Sequence, residues 1–353
     1  MGAAIGSMLR EAHPALGDIL ILEGRRRRAV FVPDHMRDCV CFAYIIEGGV
    51  ERPVGTAFAV STPLADTGRR GGVLVTALHL VAKAKARSDD GCLYMRLNTH
   101  AGGYQFVKIE PDAWEAPDQS ELTVDVAVCP WDGDGQFSLR TVGVGQCATT
   151  DAIATERIGV GTDVFLTGLF VNHHGRERNV PIVRVGNIAA MPQEPVKTKL
   201  GLMDAFLVEA RSVGGLSGSP VFVNLGLVGP DGEHNLGTRS PGSQIWYLLG
   251  IMHGHWDAQA DDVVVDDGIS TEYVNMGIAI VTPITAVLDL LDTPPLSERF
   301  DAMTKKAESA QLPTMDAADE RESETGDEFE RFEDLTRKLV QTPKPEIDEK
   351  RRE

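Results

Sequence analysis

The sequence predicts an all-β protein made of two six-stranded antiparallel barrels, followed by a short helix and a disordered acidic tail. Short apolar runs rich in β-branched residues recur along the chain in two sets of six. The 36 glycines and 19 prolines supply turns between short strands, and a hydrophobic content of 42 % over 353 residues suffices for a sizeable core. Closing each set into a barrel would remove the exposed sheet edges.

Residues 1–37 are predicted to be an extension that precedes the first barrel. Residues 25–28 are four consecutive arginines, which we interpret as a solvated turn. The net charge of −18 argues against nucleic-acid binding, because phosphates repel so acidic a chain. The first barrel is predicted over residues 38–150, with strands at 40–46, 55–60, 73–77, 92–97, 104–109 and 124–128.

The second barrel is predicted over residues 151–292, and it ends with a closing helix at 282–292. Pro283 lies near the start of this helix, where proline is tolerated. The apolar residues that share one helical face are Ile284, Val287, Leu288 and Leu291. The strands of this barrel are predicted at 163–168, 182–188, 205–209, 220–224, 245–252 and 276–281.

Residues 293–353 are predicted to be a flexible acidic tail. Residues 316–334 contain ten acidic and two basic residues, a composition that does not support a packed core. Further along, four apolar residues fall at helical spacing and predict a short amphipathic segment. This segment could dock on a protein partner. The alternative interpretation is a loosely helical tail that has no partner. The four apolar residues are Phe329, Phe332, Leu335 and Leu339.

Composition and cysteine usage predict a cytoplasmic protein without a membrane span. No run of 18 apolar residues is present, and the first ten residues lack the basic and apolar regions of a secretory signal. The five cysteines form no Cys-x-x-Cys pair, and several of them lie in apolar strand-like runs. We therefore expect reduced, partly buried thiols.

Residues 214–220, Gly-Gly-Leu-Ser-Gly-Ser-Pro, predict a nucleophile turn. Glycines let the backbone approach a substrate carbonyl and direct N–H groups towards it. Ser217 is the predicted nucleophile, and the N–H groups of Gly215 and Ser217 are the predicted oxyanion donors. Ser219 breaks the Gly-x-Ser-x-Gly pattern, which argues against an α/β-hydrolase. A purely structural Gly/Ser turn is the alternative interpretation.

His79 and Asp125 are the residues that would activate this serine. His79 follows an apolar β-rich run and is predicted at a barrel rim, and Asp125 is a single acid within an apolar run. Burying a lone carboxylate is costly, and a histidine that needs its tautomer fixed is a suitable partner. Each residue also has a structural interpretation, His79 as a satisfied buried histidine and Asp125 as a turn cap.

These motifs, in the chain order His, Asp, Ser, resemble those of the trypsin/chymotrypsin-like serine peptidases, particularly non-secreted bacterial members. Thr-Ala-Leu-His at 76–79, Asp-Val-Ala-Val at 125–128 and Gly-Leu-Ser-Gly-Ser-Pro at 215–220 correspond to the three catalytic motifs. Flanking runs at 55–60, 250–254 and 277–283 resemble strands of the same family, so the resemblance covers residues 38–292. It implies a chymotrypsin-like two-barrel fold, cleavage of polypeptides through an acyl-enzyme, and no cofactor.

The resemblance also implies where the substrate pocket lies. The pocket floor is six residues before the nucleophile, at Arg211, whose guanidinium would attract an acidic P1 side chain. His253 and Gly254 belong to the predicted opposite wall. In the alternative, Arg211 points outward and the pocket is small or apolar.

The sequence predicts no metal site, because the histidine pairs and the acidic run at 261–267 lack a recognisable ligand frame. Two other functions remain open. A catalytically silent module of the same fold would bind peptides or act as a scaffold, and an esterase would use the same triad on small acyl substrates.

Overall fold

The described part of the chain is mostly β structure arranged in two sheets. The computed structural model describes residues 32, 34–64, 70–118, 121–131, 135–210, 214–225, 246–259 and 273–311. Both sheets belong to one unit that ends at Asp301. The predicted all-β class is confirmed, and the architecture is consistent with a chymotrypsin-like pair of barrels.

The first sheet contains seven described strands. They are β1 (Val40–Glu47), β2 (Val50–Pro63), β3 (Arg70–Thr76), β4 (Leu93–Asn98), β5 (Tyr104–Ile109), β6 (Ala127–Trp131) and β7 (Val142–Gly143). Their order is β5-β4-β1-β2-β3-β6, and β7 pairs with β2. The described strands form an open half-barrel instead of the predicted closed barrel, since β5 and β6 at the two ends of this order do not pair with each other. An isolated bridge joins Val128 of β6 to Glu115, which lies in the segment after β5.

The second sheet is a closed six-stranded barrel. Its strands are β8 (Asp163–Gly168), β9 (Ile182–Ala190), β12 (Phe206–Glu209), β13 (Pro220–Asn224), β14 (Trp246–Gln259) and β15 (Tyr273–Pro283). They close in the order β12-β15-β14-β13-β8-β9, and all pairs are antiparallel. A separate hairpin of β10 (Val196–Thr198) and β11 (Gly201–Met203) precedes β12.

Alternate side chains of a strand are buried in different hydrophobic cores, because successive residues of a strand point to opposite faces of the sheet. On β1, Phe42 contributes to a core shared by the two sheets, and Ala43 to the interior of the first sheet. On β13, Phe222 enters the shared core and Val221 the interior of the second barrel. Strands buried on both faces therefore hold the two sheets together.

Helices occupy the connections and the end of the described chain. They are α1 (Asp34–Arg37), α2 (Leu78–Arg87), α3 (Thr150–Thr155), α4 (Thr285–Leu291) and α5 (Leu296–Gln311). None of these helices is long and apolar enough to span a bilayer. The apolar face predicted for the closing helix is confirmed, since Ile284, Val287 and Leu291 are buried in the shared core and Leu288 packs against it.

The structure differs from the sequence prediction in local detail. The run predicted as a strand at 124–128 forms a strand only from Ala127 onward, so Asp125 lies in the irregular segment before β6. Helices α2 and α5 and the β10–β11 hairpin were not predicted. The arginine run at 25–28 and the amphipathic segment from Phe329 to Leu339 lie outside the described residues.

The shared core generates a stability prediction at Phe222. Its buried ring stacks on Phe165 of the neighbouring strand, with ring centroids 5.2 Å apart. We expect Phe222→Ala to lower the free energy of unfolding by about 3–5 kcal/mol, because it leaves a cavity between the sheets. Val185→Ala, at an exposed position of β9, is the control, with an expected effect within about 0.5 kcal/mol. Urea unfolding followed by circular dichroism measures both, and a loss below about 1 kcal/mol for Phe222→Ala would contradict a tightly packed shared core.

Candidate active site

His79 and Asp125 are joined by two hydrogen bonds, although 46 residues separate them in sequence. The backbone N–H of His79, in the first turn of α2, donates to Asp125 Oδ1 at 2.8 Å. Its ring Nδ1 lies 2.7 Å from Asp125 Oδ2. The carboxylate is 1 % exposed and the His79 side chain 23 % exposed. The structure thus brings the two predicted residues together with the acid buried and the imidazole accessible.

A second imidazole contacts the same carboxylate oxygen. His253 of β14 places its Nδ1 2.5 Å from Asp125 Oδ2. The His79 and His253 rings meet edge to face, with centroids 5.5 Å apart and planes at 83°. Because an ionised carboxylate only accepts hydrogen bonds, both rings donate Nδ1–H and leave Nε2 as the acceptor in their neutral forms. His253 was predicted on the wall of the substrate pocket, and its contact with Asp125 was not predicted.

The environment of Asp125 favours its charged form. Burial alone would raise the pKa of this carboxyl, but hydrogen bonds from His253 and His79 outweigh burial and hold the pKa well below its usual range. Asp125 is therefore ionised at neutral pH. A fixed negative charge next to His79 Nδ1 is what stabilises an imidazolium during proton transfer.

The turn that carries Ser217 depends on two glycines in the left-handed region, Gly215 at φ +101° and Gly218 at φ +82°. A Cβ on Gly218 would lie 2.1 Å from the carbonyl oxygen of Thr56 and 3.2 Å from the backbone nitrogen of Ala77. No side chain fits there without moving the backbone. The turn is therefore pressed against the segment that leads into His79.

Hydrogen bonds from neighbouring strands hold the same turn. The hydroxyl of Thr56 on β2 donates to the carbonyl of Gly215 at 2.9 Å, and its N–H donates to the carbonyl of Ser217 at 2.9 Å. The N–H of Gly218 donates to the carbonyl of Met252, the residue before His253, at 2.7 Å. Ser217 therefore lies next to the segments that carry both histidines.

The two backbone N–H groups predicted to bind the oxyanion make no hydrogen bond within the described part of the chain, and the Ser217 hydroxyl makes none to either histidine. Neither the N–H of Gly215 nor that of Ser217 donates to another described group. Among the same residues, the Ser217 hydroxyl makes no hydrogen bond to His79 or His253. Catalytic hydrogen bonds often tighten only when substrate binds, so this geometry is compatible with a nucleophile at rest.

Ser219, which replaces a glycine of the resembled motif, is accommodated by Gly168. Ser219 is fully buried, and its hydroxyl has no hydrogen-bond partner among the described residues. A Cβ on Gly168 would lie 2.0 Å from Ser219 Oγ. A glycine on β8 thus provides the space that the serine needs.

The predicted substrate pocket is described only on one side. Arg211 lies outside the described residues, and its role stays a prediction. Gly254 lies on β14, and a Cβ there would meet no atom of the described residues within 4 Å, so these residues leave the wall open at this position.

His79, Asp125 and His253 also carry metal-ligand atoms that lie within 4.8 Å of one another. Two ligands of one tetrahedral zinc stand about 3.3 Å apart, because Zn–N bonds are roughly 2.0–2.1 Å long. Both Nδ1 atoms lie closer than that to Asp125 Oδ2, at 2.5 and 2.7 Å. The arrangement is that of a hydrogen-bonded group, and the expectation of no metal stays a prediction.

Comparisons with known proteins give matches among solved structures. Neither a protein-family model nor a curated protein matches this sequence. Among solved structures, the chain is similar to the MamO protease domain from Magnetospirillum magneticum in its apo form. The similarity covers 73 % of this chain and 98 % of that chain, at 16 % sequence identity and a TM-score of 0.42. A similarity of this extent says nothing of activity or substrate.

The buried charge of Asp125 generates a pH prediction. A carboxyl whose pKa is depressed by folding stabilises the folded state above its ordinary pKa of about 3.9, and this contribution is lost as the pH falls below that value. We therefore expect the difference in unfolding free energy between the wild type and Asp125→Asn to shrink between about pH 5 and pH 3. Urea unfolding at several pH values measures it, with the exposed Asp118→Asn as the control for a lost carboxylate. A difference that stays constant over this range would contradict the depressed pKa.

Proposed function

We propose that this protein is a serine endopeptidase that cleaves peptide bonds through an acyl-enzyme, with His79, Asp125 and Ser217 as its catalytic triad. The observation that supports this proposal most directly is the pair of hydrogen bonds that hold His79 against the buried carboxylate of Asp125. A surface histidine has no need of such an arrangement, whereas a general base needs its tautomer and orientation fixed.

The proposed reaction follows from which ring nitrogen is free. With Nδ1 of His79 donating to Asp125, Nε2 accepts the proton of Ser217 as the hydroxyl oxygen attacks the scissile carbonyl. The imidazolium then gives this proton to the leaving amine, and the peptide bond breaks to form the acyl-enzyme. Water, activated by His79 in the same way, hydrolyses the ester and restores Ser217.

The oxyanion of each tetrahedral intermediate is proposed to bind the N–H groups of Gly215 and Ser217. Neither N–H group donates a hydrogen bond to another described residue. The turn that carries them requires a Gly215 conformation that residues with a Cβ rarely adopt. Two fixed backbone donors stabilise developing negative charge without reorganisation during the reaction.

The substrate is proposed to be a polypeptide that lies along the open face of β14 next to Gly254. The predicted preference for an acidic P1 residue rests on the position of Arg211 in sequence. Profiling with a peptide library tests it, and cleavage after Arg or Lys would contradict it. No cofactor is part of the proposal.

A cytoplasmic location remains part of the proposal and is supported by the cysteines. All five are buried and unpaired. Burial raises the pKa of the Cys147 thiol to about 12, so it carries little thiolate at neutral pH. Free thiols of this kind suit a reducing compartment.

A catalytically silent peptide-binding module is the second candidate function. The observation that favours it is the missing hydrogen bond between the Ser217 hydroxyl and His79 among the described residues. Such a module would keep the cleft and the turn without cleaving its ligand.

Hydrolysis of a quenched peptide library separates the two functions. We expect the wild type to cleave peptides and Ser217→Ala, His79→Ala and Asp125→Asn each to lower kcat by roughly 10⁴-fold or more, because the three residues act as one unit. The ratio of peptide cleavage to hydrolysis of a small acyl ester, added as a separate substrate, distinguishes a peptidase from an esterase.

Ser219→Ala is the matched control for Ser217→Ala. It removes a hydroxyl from the same turn that has no hydrogen-bond partner among the described residues, so activity and stability should stay near those of the wild type. A wild-type protein that binds peptides but cleaves none, with Ser217→Ala binding equally well, would establish the silent module instead.

A further inference from the structure

Asp125 Oδ2 is approached by two imidazole nitrogens, one from the helix after β3 of the first sheet and one from β14 of the second. His79 Nδ1 lies at 2.7 Å and His253 Nδ1 at 2.5 Å, while Oδ1 accepts the backbone N–H of His79. A carboxylate oxygen offers two lone-pair directions, and both imidazoles are within hydrogen-bond reach of the same oxygen. Removing one donor would leave part of a buried charge unsatisfied.

The His253 contact joins the two barrels. Asp125 and His79 belong to segments that flank β6 and β3 of the first sheet, whereas His253 lies on β14 of the closed barrel. The residue before it, Met252, exchanges backbone hydrogen bonds with the Ser217 turn, accepting from Gly218 and donating to Ser219. One short stretch of β14 therefore contacts both the orienting acid and the turn that carries the nucleophile.

A β-bulge accompanies the position of His253. In the pairing of β14 with β15, Met252 lies opposite Val281 and Gly254 lies opposite Ile280, so His253 is the extra residue between two consecutive pairs. A bulge interrupts the alternation of side chains and re-aims the residue that it contains. The His253 side chain, 11 % exposed, is directed to Asp125 from this bulge.

We propose that His253 is a positioning residue for the hydrolysis proposed above: it holds Asp125 Oδ2 from the second barrel, so that the carboxylate stays directed at His79 Nδ1. The inference rests on the proposed function. His253 acts through Asp125, and its ring edge against the His79 ring further restricts how far His79 can turn. The His253 bond also links the acid to the strand whose Met252 holds the Ser217 turn.

His253→Asn and His253→Leu form a matched pair for the test. The Nδ2 of asparagine stands where the imidazole Nδ1 was, and leucine has nearly the same shape without a donor. We expect His253→Leu to lower kcat about 10- to 100-fold with little change in KM, because a hydrogen bond to a charged group is lost. His253→Asn should keep kcat within about threefold of the wild type. Equal kcat values for wild type and His253→Leu would overturn the positioning role.

A proton NMR measurement tests the same contact without any turnover. We expect two far-downfield imidazole N–H resonances in the wild type, one of which disappears in both His253 variants while the other remains. A single resonance in the wild type would overturn the shared carboxylate. If both resonances are present but no peptide is cleaved, the proposed function fails and the contact stands.

Addition of ZnCl₂ to the wild type and to His253→Leu completes the test. Under the proposal, zinc leaves both downfield resonances of the wild type in place. Loss of both resonances with micromolar zinc, in the wild type only, would show that the two imidazoles serve as metal ligands and would overturn the positioning role.

Discussion

The site is organised around the Asp125 carboxylate, which is 1 % exposed and yet ionised. A buried charge must be hydrogen-bonded, and three N–H groups from two histidines meet this requirement. Those donors come from the start of α2 and from β14, so the acid can be satisfied only when the two sheets are packed together. The complete site therefore exists only in the packed two-sheet unit.

The turn that carries Ser217 also depends on contacts between the two sheets, and Thr56 makes several of them. Its hydroxyl donates to the Gly215 carbonyl and accepts the N–H of Leu169, while its own N–H donates to the Ser217 carbonyl. Thr76, three residues before His79, donates its hydroxyl to the Thr56 carbonyl. A fully buried threonine on β2 thus connects the histidine segment with the serine turn, above the core that the two sheets share.

The parts of the site with local sequence signals were predictable. The glycines around Ser217 and the lone acid at Asp125 each break an ordinary pattern, and their chain order and the strand composition indicate a two-barrel fold. The contact of His253 was not predictable in this way, because 128 residues separate it from Asp125 and a bulge in β14 sets its direction. Bulges depend on how two strands register with each other, and no local run of residues encodes that register.

The same limit applies to the local structure around His79. Residues 78–87 follow an apolar strand and contain alanines and lysines that suit a helix, yet the strand pattern before them suggested only a short turn. The helical first turn matters, because it directs the His79 N–H at Asp125 Oδ1. Tertiary packing of Leu80 and Val81 stabilises this helix beyond its local propensity.

Intact-mass measurement after exposure to a fluorophosphonate probe tests most directly whether this arrangement activates a serine. Such a probe reacts only with a nucleophile that has a working base and an oxyanion hole. We expect one adduct on the wild-type chain and none on Ser217→Ala. An unmodified wild-type chain, or an adduct that persists in Ser217→Ala, would contradict an active triad at His79, Asp125 and Ser217.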